Sequence, residues 1–112
     1  MDIKSTVRGN ATIIEISGKL DSLTAPQAQQ TIMPLLEAGP VVLDAGKLQY
    51  VSSAGLRMLL LVAKKLSSKN RKAVLSGVSA DIQDVMKMTG FDHMFEFHPT
   101  LDAALAAAGK PA

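Results

Sequence analysis

The sequence contains no cysteine, which excludes a disulfide framework, a thiol nucleophile and a thiolate metal site. Long apolar runs are also missing. The best one, from Ala54 to Ala63, is interrupted by Arg57 and is far too short to span a membrane. The first four residues, Met1–Lys4, show neither the basic start nor the apolar stretch of a signal peptide. These absences predict a cytoplasmic protein without direct membrane insertion.

An excess of charge of one sign is likewise absent, because the formal net charge is only +2. A small basic cluster, Lys69, Arg71 and Lys72, has no interleaved aromatic residues and is interpreted as a solvated loop. No nucleic-acid partner is therefore expected. With 47% hydrophobic residues in a chain of 112, the composition indicates one folded domain rather than a disordered chain. We predict a single domain over residues 1–108 and a flexible tail over 109–112.

Hydrophobic patterning predicts an α/β fold with the order ββαβαβαβα and a mixed β-sheet on which the helices pack. A Gly9-Asn10 turn is expected to join the first two strands, and Gly18 to close the second. The next predicted elements are a helix over about 25–37, which Pro34 bends or shortens, a strand over 41–43 and a helix from about 56. They are followed by a strand over 73–75, a helix capped by Ser79 and ending at Gly90, a strand over 94–97 and a helix opened by Thr100.

Three details of this prediction concern local structure. The residues from Ala45 to Tyr50 are expected to be a connector after the third strand. In the third helix, Ile82, Val85 and Met86 are expected on the inner face. In the second helix, Val62 is interpreted as a core residue.

Two hydroxyl side chains, Ser52 and Ser53, lie where an apolar strand gives way to an apolar helix. A serine just before a helix faces the unpaired N–H groups of the first turn, which also favour an anion such as phosphate. From spacing alone, a simple capping role is the more common one. Because Ala54-Gly55 adds little bulk, a large partner could also approach the hydroxyl. A cap that is exposed can serve both roles.

The segment that contains these serines resembles the signature of the STAS domain (sulfate transporter and anti-sigma factor antagonist). The matching residues are Leu43-Asp44, Tyr50-Val51, Ser52-Ser53-Ala54 and Gly55-Leu56. Further matches in order and spacing are Gly18–Ala25, Leu75–Ser79 and Thr89–Asp92. The resemblance covers nearly the whole chain, although Ala45-Gly46 departs from the commoner Leu-Ser.

For a chain of this length the resemblance implies phosphorylation-controlled partner switching in bacteria. The unphosphorylated form would bind an anti-sigma factor that is also a serine kinase, phosphorylation would release it, and a serine phosphatase would reverse the modification. The implied phosphoacceptor is Ser53. Ser52 takes the place of an aspartate in the best-known antagonists and is the second-choice acceptor, which leaves Asp21 as the carboxylate expected close by. A monomer is the default expectation for the free chain.

The implied partner-binding surface lies around the acceptor, and Arg57 could meet a carboxylate of the partner. Met58 and Leu61 are candidate docking residues, because methionine-rich surfaces adapt to partners, but a helix packed between the sheet and a neighbouring helix would also be apolar at these positions, so both interpretations stay open. The full predicted set is Asp21, Ser22, Thr24, Ser52, Ala54, Gly55, Arg57, Met58 and Leu61. No cofactor and no metal ligand is expected.

The sequence also bears on two other functions. An enzyme would need a base near Ser53, but His93 and His98 belong to the last strand and its flanks, and no nucleophile elbow or phosphate loop is present. The same histidines lack a third strong ligand for a metal. The second alternative is a non-enzymatic STAS subunit of a lipid-transport ABC complex, which would dock without phosphorylation.

Overall fold

A five-stranded mixed sheet with helices on both faces forms the part of the chain that the computed structural model describes, residues 1–110. The strands are β1 (Asp2–Arg8), β2 (Ala11–Leu20), β3 (Val41–Val51), β4 (Val74–Ser76) and β5 (Glu96–His98). The helices are α1 (Ala25–Ile32), α2 (Ser53–Ser68), α3 (Ala80–Thr89) and α4 (Leu101–Ala108). This order confirms the predicted fold class. The predicted tail includes residues 111 and 112, which lie outside the described residues.

The strands follow one another across the sheet in the order β1-β2-β3-β4-β5, with β1 antiparallel to β2 and all later pairs parallel. The predicted turn between β1 and β2 is confirmed. Gly9 there has φ of +63°, as the first central residue of a type II′ turn requires. The prediction that Gly18 closes β2 is wrong, because the strand continues through a register irregularity at Gly18 to Leu20.

The predicted connector from Ala45 to Tyr50 is also wrong, because β3 extends without interruption to Val51. Pairing with β2 shifts between Asp44 and Lys47, and again between Leu48 and Tyr50. Each shift places an extra residue on β3, so burial recurs at every third residue instead of every second one. The alternation by which a strand is recognised in a sequence is therefore lost.

Two hydrophobic clusters hold the helices on the sheet. The larger one lies under α1, α2 and α3 and includes Val62, as predicted. The smaller one joins Val42 and Val74 to the alanines of α4 on the opposite face. Val85 was predicted to face inward but is 39% exposed, because α3 contacts the core along the narrower line of Ile82 and Met86. No helix within residues 1–110 has the length and apolar character needed to cross a membrane.

The predicted end signals of α3 and α4 are confirmed, whereas α2 begins at Ser53, earlier than the predicted start at about residue 56, because Ser52 is its N-cap. Ser79 and Thr100 cap α3 and α4, and Gly90 ends α3 with φ of +77°. The α-helix α1 gives way at residue 33 to a 3₁₀ turn, Met33–Glu37, which contains Pro34. The last strand begins later than predicted, at Glu96, because a 3₁₀ turn occupies Phe91–Met94.

Candidate functional site

The carboxyl ends of β2 and β3 place two polar segments side by side at one edge of the sheet. The paired strands end at Leu20 and Val51, so Asp21 and Ser52 are the next residues of each chain segment. The backbone N–H of Ser52 donates a hydrogen bond to the carbonyl oxygen of Leu20 at 2.9 Å. The loop after β2 and the turn into α2 are therefore joined, although about thirty residues separate them in sequence.

Ser52 is the N-cap of α2. Its backbone is extended, with φ of −84° and ψ of 176°, and its Oγ accepts a hydrogen bond from the N–H of Gly55 at 3.2 Å. Its carbonyl oxygen accepts the first helical hydrogen bond, from Leu56 at 2.8 Å. The half-buried Ser52 hydroxyl therefore satisfies one of the N–H groups that a helix leaves unpaired at its start.

Ser53 is the first residue of α2 and is exposed. Within residues 1–110 its hydroxyl takes part in no side-chain hydrogen bond, because the capping role belongs to Ser52. The N-terminal end of a helix carries a partial positive charge, which stabilises an anion placed there. An exposed alcohol at this end is a suitable acceptor for a phosphoryl group.

Gly55 is buried and has a structural role. A Cβ atom at this position would lie 2.5 Å from the carbonyl oxygen of Leu20, so only glycine allows the first turn of α2 to pack against the end of β2. This close approach to Leu20 corrects the expectation that Gly55 leaves room for a partner. It also corrects the place of Gly55 in the predicted partner-binding set, because the residue is buried. Ala54 is partly exposed and does border open space.

Asp21 organises the loop before α1. Its Oδ1 accepts hydrogen bonds from the N–H groups of Leu23 at 2.9 Å and Thr24 at 3.1 Å. These backbone hydrogen bonds, first from Thr24 and then from Leu23, lower the pKa of Asp21 below its ordinary value of 3.8. The carboxyl group is therefore ionised at neutral pH, beside the turn that carries Ser53.

Thr24 was predicted to contact a partner, but its side chain is used inside the same loop. Its Oγ1 donates to the carbonyl oxygen of Lys19 at 2.9 Å and accepts from the N–H of Asp21 at 3.0 Å. The two contacts hold the loop closed around the start of α1. We therefore interpret Thr24 as a structural residue of the site.

A cleft of about 600 Å³ lies between α1 and α2 and begins at Ala54, the residue after Ser53. It brings together five residues of the predicted partner-binding set: Ser22, Ala54, Arg57, Met58 and Leu61. The side chain of Arg57 is exposed, and Leu61 is 42% exposed. Met58, which the sequence leaves open between a docking and a core role, is 2% exposed and belongs to the core at the floor of the cleft, so its place in the predicted partner-binding set is corrected.

Several residues at or beside the cleft are not in the set predicted from the sequence. Leu23, in the loop beside Ser22, is 87% exposed and offers an apolar side chain to solvent. An apolar residue between serine and threonine in a polar loop was the available signal. Gln29, Leu60 and Lys64 also line the cleft. Their roles depend on the packing of α1 against α2, which no local pattern reveals.

The two histidines belong to β5 and to the 3₁₀ turn before it, and neither lines the cleft between α1 and α2. His98 Nε2 lies 2.9 Å from Glu96 Oε1, and His93 is an exposed residue of the 3₁₀ turn before β5. Residues 1–110 contain no group of three acidic, histidine or cysteine side chains that could hold a metal ion. The described site offers a hydroxyl, a carboxylate and an apolar cleft, a combination suited to docking and modification.

Comparisons with known proteins agree on one family. Residues 2–104 match the family model of the STAS domain. The chain is 36% identical over 94 residues to "Putative anti-sigma factor antagonist BtrV" of Bordetella bronchiseptica, covering 82% of this chain and 81% of that protein. A solved anti-sigma factor antagonist from Mycobacterium paratuberculosis is 25% identical, with a TM-score of 0.85 over 97% of this chain and 94% of that one. The phosphorylated form of SpoIIAA from Bacillus is 16% identical, with a TM-score of 0.71 over 94% of this chain and 97% of that one.

Proposed function

The chain belongs to the STAS domain family, and from that premise we propose that it is an anti-sigma factor antagonist that acts by partner switching. In its unphosphorylated form it binds an anti-sigma factor that is also a serine kinase. Phosphorylation of Ser53 releases that partner, and a serine phosphatase restores binding. The name of BtrV supports this proposal, and so does the existence of SpoIIAA in phosphorylated and unphosphorylated forms.

The observation that carries the proposal is the exposed Ser53 hydroxyl at the N-terminus of α2, next to the cleft and free of the capping bond made by Ser52. A phosphoserine adds about 1.5 to 2 negative charges, which the helix end tolerates. The ionised Asp21 lies on the neighbouring strand end. Two adjacent anions then face a partner surface that fits a neutral hydroxyl, and the partner is released.

We propose a regulatory role without catalysis, in the cytoplasm. The hydroxyl of Ser53 accepts a phosphoryl group from the partner and has no histidine base among its hydrogen-bond partners within residues 1–110. The alternative role as a subunit of a lipid-transport ABC complex has less support, because the curated relatives carry the antagonist name.

The test is incubation of the full chain with ATP and an anti-sigma factor kinase that binds its unphosphorylated form, followed by mapping of the phosphosite. We expect phosphate on Ser53 and none on the Ser53→Ala variant. Ser52→Ala is the matched control, because it removes the adjacent hydroxyl and should still be phosphorylated. Phosphate on Ser52 instead would move the acceptor, and an active kinase that leaves the chain unmodified would contradict the proposal.

The second part of the test is binding. The Ser53→Asp variant places a permanent negative charge at the helix end, and we expect it to bind the kinase roughly 100-fold more weakly than the natural chain. Ser53→Ala should bind like the natural chain, since a neutral side chain remains. Titration calorimetry measures both. Equal affinity of Ser53→Asp and Ser53→Ala would show that charge at this position does not control docking.

A further inference from the structure

The outer strand β1 leaves one edge of the sheet open. It is the first strand in the sheet order and has seven residues, of which every one except Ile3 is exposed. Val7 is 70% exposed although it is apolar and β-branched. The opposite edge, β5, has only three residues. A long exposed edge strand presents unpaired N–H and C=O groups that can pair with another strand.

The hairpin geometry shows which groups of β1 are free. Arg8 and Ala11 flank the two-residue turn and are directly opposite each other. Residues that flank such a turn exchange hydrogen bonds, and hydrogen-bonded pairs alternate along an antiparallel ladder with pairs whose groups point away. Ile3, Ser5 and Val7 therefore direct their N–H and C=O groups away from β2, toward the open edge.

The residues of β1 are complementary to themselves about Ser5. When two copies of Asp2–Arg8 run antiparallel and are centred on Ser5, each Asp2 is opposite the second copy's Arg8 and each Ile3 is opposite the second copy's Val7. We propose that β1 pairs in this register with β1 of a second copy of this chain, about a two-fold axis at Ser5. The three outward residues would exchange about six hydrogen bonds across the axis.

Charge complementarity identifies a second copy as the occupant of the edge. The only carboxylate of β1, Asp2, and the guanidinium of Arg8 stand at opposite ends of the strand, so an isologous antiparallel pair matches both at once. Arg8 already lies 3.4 Å from Asp102, but both side chains are largely exposed, so this ion pair is weak. The fork of donors on a guanidinium can serve a second carboxylate.

The proposed dimer uses a strand other than the one that leads to Ser53. Ser53 follows β3, and β2 lies between β3 and the outer strand β1. Because a strand edge alone buries less surface than a standard stable interface, we expect a reversible equilibrium between monomer and dimer. This differs from the default expectation of a monomer and does not depend on the proposed switching function.

Sedimentation velocity of the full chain over a range of concentrations tests the proposal. We expect a concentration-dependent shift from monomer to dimer. Asp2→Lys places a lysine opposite the second copy's Arg8, and Arg8→Asp places two aspartates opposite each other, so each variant alone should dimerise at least about tenfold more weakly. Mixing the two variants pairs lysine with aspartate on one side and arginine with aspartate on the other. The mixture should regain the dimer.

A backbone variant provides the second measurement. Ser5→Pro removes the central outward N–H, which by the register of the hairpin does not bond to β2, so proline is compatible with the folded edge strand. We expect this variant to be folded and monomeric, with thermal unfolding as the check on folding. A natural chain that stays monomeric at its highest soluble concentration would overturn the proposal. A dimer that persists in Ser5→Pro, or a mixture no stronger than its separate variants, would do the same.

Discussion

Ser52 and Ser53 are neighbours of the same residue type with different tasks. Ser52 is half-buried and its Oγ accepts a hydrogen bond from the N–H of Gly55, whereas Ser53 is the first residue of the helix and is exposed. The proposed acceptor is one of this pair, and the sequence leaves open which serine caps the helix. That choice depends on where the helix begins, and a shift of one residue would exchange the two roles.

This division of tasks predicts opposite effects on stability and modification. Ser52→Ala removes the N-cap and should lower the free energy of unfolding by about 1 kcal/mol. Ser53→Ala should change it by less than about 0.5 kcal/mol, because an exposed hydroxyl outside any hydrogen-bond network is removed. Urea denaturation followed by circular dichroism measures both. A larger loss for Ser53→Ala than for Ser52→Ala would reverse the assigned roles.

Gly55 shows why part of the site could not be predicted. The small residues after the serines are visible in the sequence, and they suggested access for a partner. In the structure, position 55 requires glycine because a Cβ atom there would lie 2.5 Å from the carbonyl oxygen of Leu20. That contact joins residues far apart in the chain, and no local pattern encodes it.

At the scale of elements, the sequence predicted those whose burial follows a simple period. The helices α2, α3 and α4 were found because their caps and apolar spacing agree. The second half of β3 was missed because extra residues in its register with β2 disturb the alternation. Of the residues predicted to contact a partner, Arg57 and Leu61 are exposed along the cleft while Met58 is buried in its floor, and their contact with a partner stays a prediction.

The cleft between α1 and α2 predicts an element-specific effect on binding. Leu61→Glu places a charge on the apolar wall of the cleft and should weaken binding of the anti-sigma factor kinase by roughly tenfold or more. Val85→Glu is the matched control, because Val85 is 39% exposed, close to the 42% of Leu61, but belongs to α3 and does not line the cleft. Titration calorimetry measures the affinity of each variant for the kinase. Equal losses would exclude the cleft as the docking surface.

For the whole molecule, the parallel arrangement of β2 and β3 produces the site. Strands that run in one direction end at one edge of the sheet, so the loop with Asp21 and the turn with Ser53 meet there. A modification at that edge changes the net charge of a chain that carries only +2. The change is therefore large relative to the net charge of the chain.

Carboxylates distributed over the molecule predict its behaviour in acid. The pKa values of Asp21, Glu37 and Glu96 are lowered, and the largest cause in each case is one hydrogen bond. The donor is the backbone N–H of Thr24 for Asp21, the side chain of Lys69 for Glu37 and the side chain of His98 for Glu96. Their ordinary values are 3.8 for the aspartate and 4.5 for the glutamates. As the pH falls, the unfolded chain binds protons before the folded chain does, so the folded state is progressively destabilised.

We therefore expect the contribution of these three carboxylates to the free energy of unfolding to be fully present well above pH 4.5, the ordinary pKa of a glutamate. The free energy of unfolding should then decline as the pH falls through the lowered pKa values of the carboxylates in the folded chain. Urea denaturation at a series of pH values measures the slope. Glu37→Gln removes one of the three groups together with its ion pairs to Lys65 and Lys69, so its decline should be shallower. Because Glu37 is half exposed, screening by salt should reduce the difference between the two chains. An identical slope for both chains at low salt would show that this carboxylate is not part of the acid response.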